Sequence, residues 1–139
     1  MIIDSRKTEK GFTLIELMVV LFIVGILSAV AIPYMRGRTD SSKWSEGRAV
    51  AGSIRTAARA YCSEMGRNFD YTGTTLTQLG FAPGDLGGKY FTENCFSITF
   101  NGYNDYLIDI DATVSGSPDA PSAPTEVTLD SEGVFTEIP

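Results

Sequence analysis

The sequence predicts an α+β protein, in which one long amino-terminal helix packs against an antiparallel sheet of four or five strands. Three observations carry this expectation. No residue from Leu17 to Met35 is charged, which marks a membrane-spanning first half of the helix. An amphipathic pattern then continues to about Met65 and stops at Gly66, a helix-ending residue. Beyond Lys89, short runs of alternating apolar and polar residues are separated by turn-forming ones.

The first half of the helix poses the central chemical question. At about 1.5 Å per residue, the apolar run from Phe12 to Pro33 extends roughly 33 Å, enough to cross a hydrocarbon core of about 30 Å. Glu16 nevertheless stands just inside its beginning. An ionised side chain at membrane depth costs at least ~2.5 kcal/mol and is retained with a partner or a function. Pro33 has no amide hydrogen for the carbonyl of Ala29, and Gly25 weakens the same stretch, so the helix is expected to bend or locally melt there. Gly25 and Ala29 also form a small-xxx-small pair suited to close helix approach.

Residues 1–11 read as a polar leader carrying Arg6, Lys7 and Lys10. An ordinary secretory signal is cut after its apolar core. Here the small residue, Gly11, precedes the core, so a cut after it removes the charges and keeps the anchor. The basic residues hold the leader on the cytoplasmic side, which turns the chain beyond Pro33 outward.

The segment Lys10-Gly11-Phe12-Thr13-Leu14-Ile15-Glu16-Leu17-Met18-Val19 resembles the processing site and amino terminus of the type IV pilin and type II secretion pseudopilin superfamily. The likeness covers the whole anchor, Pro33 included; past about Glu64 it is one of architecture only. It implies the pilin fold and a set of roles. Gly11 would be the last leader residue, recognised by a prepilin peptidase. Phe12 would be the new amino terminus, N-methylated by that same peptidase/methyltransferase. Glu16 would pair with the Phe12 amine of a neighbouring subunit, which makes it an assembly key. The stretch around Gly25 and Pro33 would lose helical order in the filament; a plain kink without a role is the alternative. The implied partners are further copies of the chain in a homopolymer, the peptidase, an inner-membrane assembly platform with its ATPase, and membrane lipid. The precursor would be a single-pass inner-membrane protein with its head outside, and the product an extracellular or periplasmic filament.

The chain has 139 residues and a net charge of -6, unevenly spread. Seven basic residues lie from Arg36 to Arg67, against Asp40, Glu46 and Glu64; after Lys89 there are nine acidic residues and no basic one. Two cysteines and no histidine exclude the common zinc, haem and Cys/His catalytic arrangements, so no cofactor is expected. A Cys62–Cys95 bridge would close a loop of about 34 residues, worth ~4 kcal/mol, and small exported domains need such staples. Two unrelated buried thiols are the alternative.

The expected divisions are a leader (1–11), a filament-core helix (12–33), the amphipathic half of the helix (34–66) and a globular head (67–139). Val50, Ile54, Ala57 or Ala58, Tyr61 and Met65 mark an apolar stripe. Arg48, Arg55 and Arg59 lie on another face, either solvated or set against the acidic half in the same subunit or the next. In the head, residues 75–80 read as one helical turn. Strands are expected at 90–93, 95–100, 106–111, 125–129 and 134–138, and the loop 115–124 holds too little apolar matter to pack.

No nucleophile elbow, phosphate loop or metal motif occurs, so no catalysis is expected. Asp109 and Asp111 share a strand face, but no D-x-D-x-D-G pattern accompanies them, and a solvated acidic face is expected rather than a calcium site. The mature chain is net negative without a groove-reading motif, which argues against nucleic acid. Packing accounts for the helix aromatics without an electron-transport role. The leading reading is a pilus subunit, major or minor. A pseudopilin of a secretion or competence system is the alternative within the family, and a single-pass membrane-anchored binding module is the alternative outside it.

Overall fold

A computed structural model describes residues 11–138, the side chains of residues 33 and 36 apart. The element order is a helix α1 (Leu14–Met65) followed by strands β1 (Phe96–Gly102), β2 (Asp105–Asp111), β3 (Glu126–Asp130) and β4 (Phe135–Ile138). The chain divides into two compact units, Met1–Arg36 and Gly37–Pro139, so the second half of α1 belongs with the sheet.

In the first unit α1 begins with a side-chain cap from Thr13. The Glu16 amide donates to Thr13 Oγ1 at 3.3 Å, and the Thr13 hydroxyl donates to Glu16 Oε2 at 3.4 Å. Helical conformation continues without interruption through Gly25 and residue 33, so the local melting expected there is absent from this structure. Helical neighbours on both sides hold the residues around the missing proline donor in register. Among the described residues α1 is the one helix long and apolar enough to cross a membrane, with a mean hydropathy of 2.8 over 18 residues. The expected leader, Gly11 excepted, lies outside the described residues.

In the second unit α1 lays a narrow stripe on the sheet. Trp44, Ala51, Ile54, Ala58 and Cys62 are buried, spaced three or four residues apart with Gly47 between them. Ile54 and Ala58 were expected on this stripe. Val50 and Tyr61 are half-buried beside it, and Met65 is 40% exposed. Small residues set the closeness of approach: a Cβ on Gly47 would lie 3.1 Å from the Phe91 ring. The helix ends where expected. Gly66 takes φ +80, its amide closes on the Cys62 carbonyl at 3.0 Å, and the Tyr71 hydroxyl donates to the Gly66 carbonyl at 2.8 Å.

The sheet is antiparallel in the order β1-β2-β3-β4. Phe96, Ile98 and Phe100 face Ile110, Ile108 and Tyr106 across β1 and β2, and Val127 and Leu129 continue the layer onto β3. These side chains meet the helix stripe in one core with Trp44, Phe91 and Leu86. The expected strand at 90–93 is not one. The Tyr90 and Phe91 amides donate to Glu46 Oε1 on the helix, at 2.8 and 3.2 Å, and not to a neighbouring strand. The β1–β2 turn falls one step later than Asn101-Gly102 suggested. β1 bulges between Phe100 and Gly102, and Asn104, at φ 55, makes the turn. Residues 75–80 form successive hydrogen-bonded turns ended by Gly80, short of a helix.

Candidate functional site

The site that the sequence singles out lies at the start of α1, in the first unit. Phe12 is 81% exposed, Gly11 has open space around it, and the large apolar side chains from Leu14 to Met35 are about half exposed or more. A helix with apolar residues on every side is suited to lipid or to like helices, and not to water. The contact with the Thr13 hydroxyl holds the Glu16 carboxylate over the first turn, where the helix dipole favours negative charge. Thr13-x-x-Glu16 is a readable capping signal, so a local role of Glu16 was available in the sequence beside the expected assembly role. The contact with Thr13 leaves the carboxylate most of its acceptor capacity. No lysine or arginine occurs between Gly11 and Met35, so within that stretch no side chain supplies a counter-charge.

The prokaryotic N-terminal methylation motif matches residues 6–32. Over this segment the chain is similar to the type IV pilin superfamily. Relatives carry pilin names. The type IV major pilin protein PilA of Myxococcus xanthus is 41% identical over 82 residues, which are 59% of this chain and 35% of that protein. The type IV major pilin protein PilE1 of Neisseria gonorrhoeae is 39% identical over 85 residues, 61% of this chain and 50% of the relative. The type IV major fimbrial protein FimA of Dichelobacter nodosus is 39% identical over 83 residues, 57% of this chain and 53% of the relative. The matches thus span about half or less of these relatives' lengths. No solved structure matches the chain. The long helix with its four-stranded antiparallel sheet is the α+β architecture expected of a pilin.

The head holds its helix and sheet together without the expected covalent staple. Cys62 and Cys95 are both buried free thiols. They occupy opposite ends of the helix–sheet contact. Ile110, the β2 partner of Phe96, lies against Gly47, and Tyr106, the partner of Phe100, donates to the Arg55 carbonyl at 3.3 Å. Cys95 precedes Phe96 and so belongs to the Gly47 end. Cys62 sits fifteen residues further along α1, about 22 Å away along the axis. A disulfide needs Cα atoms within about 7 Å, so the expected Cys62–Cys95 bridge does not fit this fold.

Polar latches stand in its place. Arg48 pairs with Glu137 and lies over the Phe135 ring at 5.5 Å. Arg55 donates from Nε and Nη2 to the Ser131 carbonyl at 3.3 and 3.1 Å. Two of the three expected helix arginines therefore dock on the β3–β4 hairpin of the same subunit. The loop 115–124, expected to be unpacked, is held as well. Ser122 donates from its amide and hydroxyl to Asp40 Oδ2, at 3.1 and 2.6 Å, and the Ser115 hydroxyl donates to the Tyr90 carbonyl at 2.7 Å. Ser115 and Pro121 are buried. The Ser122 hydroxyl bond, helped by Lys43 at 3.5 Å, draws the Asp40 carboxyl below its ordinary pKa. Hydroxyls did this packing, which an apolar count could not register.

The sheet carboxylates serve local geometry. Asp111 accepts from the Thr113 amide at 2.8 Å, and Asp130 accepts from the Gly133 and Val134 amides at 2.8 Å each. Asp109 meets Ser97 Oγ at 3.4 Å, and burial raises its pKa. Among the described residues no group of three or more carboxylate, thiol or imidazole side chains is gathered to hold a metal ion.

Proposed function

We propose that this chain is a structural subunit of a type IV pilus, polymerising through its apolar helix after cleavage between Gly11 and Phe12. The observation that carries the reading is a lone carboxylate, Glu16, at the start of an all-round apolar helix, four residues from a peptide bond whose cleavage creates an amine. The new cation at Phe12 has no matching anion in its own apolar stretch except Glu16. A neighbouring copy in register offers the same pair, so association offsets the cost of holding both charges in a dry environment. The reading is structural and not catalytic. Prepilin peptidase and an inner-membrane assembly platform with its ATPase are the partners it requires. The pilin and fimbrial names of the relatives favour a pilus over a secretion pseudopilus.

The test is expression of the full chain with a prepilin peptidase, read by intact mass and by filament yield. Loss of residues 1–11 plus one methyl group is the expected mass change. Gly11→Val should keep the leader on. Glu16→Ala should be cut normally and lower filament yield at least tenfold or so, as expected for a lost charge pairing of a few kcal/mol. An uncut wild-type chain would leave a membrane-anchored protein of another kind, and normal filaments from Glu16→Ala would end its assembly role.

A further inference from the structure

The head carries two sets of charges that form no ion pair with each other among the described residues. In β2, Tyr106, Ile108 and Ile110 are buried, so Asp105, Leu107, Asp109 and Asp111 occupy the opposite face of the sheet, away from α1. The register brings Glu126 opposite Asp111 and Asp130 opposite Leu107 on that same face. Five carboxylates thus surround Leu107, itself 36% exposed, and two of them oppose each other directly across the strands. Like charges in that position destabilise a sheet, and no lysine or arginine follows Lys89 to relieve them.

The complementary charges lie on the helix side. Lys43, Arg48 and Arg55 are engaged inside the head by Asp40, Glu137 and the Ser131 carbonyl. Arg59 and Arg67, near the end of α1, are exposed, and among the described residues neither has a carboxylate within ion-pair distance. Arg67 rests over the Tyr103 ring at 5.2 Å, and Met65 and Phe69 beside it are each 40% exposed. An apolar centre flanked by guanidinium groups is the counterpart of an apolar centre flanked by carboxylates. Arg67 reaches the β1–β2 turn that leads into Asp105, yet no ion pair joins the two patches among the described residues.

We propose that the outward face of the sheet docks on the end of α1 in a second copy of this chain, with the carboxylates around Leu107 meeting Arg59 and Arg67. The contact joins two different patches, so it is head-to-tail and repeats from copy to copy. This rests on the filament reading for its setting and adds to it a contact between heads that does not involve Glu16.

Charge reversal in two halves tests it. The full chain is held in zwitterionic detergent micelles and followed by sedimentation velocity, with circular dichroism to verify that each variant is folded. One variant carries Asp105→Lys and Glu126→Lys, whose side chains make no hydrogen bond within the described head. The other carries Arg59→Glu and Arg67→Glu. Wild type should self-associate at low ionic strength and lose that association as salt rises. Each variant alone should associate about tenfold more weakly, and an equimolar mixture should recover the wild-type value, because the lysine face then meets the glutamate end. Equal association of wild type and both variants overturns the proposal, as does a mixture that fails to recover. So does a wild-type face that binds added polylysine but not another copy. Glu16 is untouched throughout, so the micelle result stands apart from the cleavage and filament assays.

Discussion

Two aspartates of the head respond to acid with opposite sign. Asp40 is held by the Ser122 amide and hydroxyl, and its folded pKa is depressed below the ordinary 3.8. A depressed carboxyl stabilises the fold fully above its unfolded value and loses that contribution as pH falls through the folded one. Asp109 is raised, chiefly by burial, so its ionised form opposes folding. Acid relieves that opposition, and the gain comes as pH falls from above the raised folded value toward 3.8. At neutral pH, Asp40→Ala should therefore cost about 1.5–3 kcal/mol, the loss of charge-assisted bonds at a buried carboxylate, and the deficit should shrink below pH 4 or so. Asp109→Asn should leave stability unchanged or higher at neutral pH and lose any advantage in acid. Trp44 is the one tryptophan of the chain, is 1% exposed and stands one turn from Asp40, so its emission during urea unfolding reports both series.

At the scale of elements, the sequence made the existence and ends of α1 plain, because Gly66 and an unbroken apolar run are local signals. It found only part of the buried stripe, Ile54 and Ala58. The expected set weighted large residues, Val50, Tyr61 and Met65, whereas the helix approaches the sheet along Gly47, Ala51, Ala58 and Cys62, where small side chains let Phe91 and Ile110 come close. Periodicity gives a direction only when the face is set by bulk, and here closeness set it. Strands β1 to β4 were legible from alternation, while 90–93 was not, because its amides are taken by Glu46, forty-four residues away. Where burial ends along the stripe is measurable. Ile54→Ala removes a fully buried side chain and should cost about 2–4 kcal/mol in denaturant unfolding, and Met65→Ala should cost less than about 1 kcal/mol. Comparable losses at both positions would extend the buried stripe to Met65, as the sequence suggested.

For the whole molecule, the methylation motif was legible because it is contiguous, and the cysteine pairing was not, because it depends on where a strand lands along a helix. Spacing in sequence gave a plausible loop of about 34 residues. Register decided otherwise, since β1 enters beside Gly47 and Cys62 lies beyond Arg55. The head must then draw its stability from the helix–sheet core and from the Arg48, Arg55 and Asp40 latches, without the ~4 kcal/mol that loop closure would add. Denaturation in the presence of a thiol-alkylating reagent should label both Cys62 and Cys95 in unreduced protein, with no further label after reduction. Reduction should also leave the unfolding midpoint where it was, and Cys62→Ser and Cys95→Ser should each act only through packing, unequally and without coupling. A mass two hydrogens short in unreduced protein, together with a midpoint that falls on reduction, would require the β1 end of the sheet to lie some four turns further along α1 than it does here.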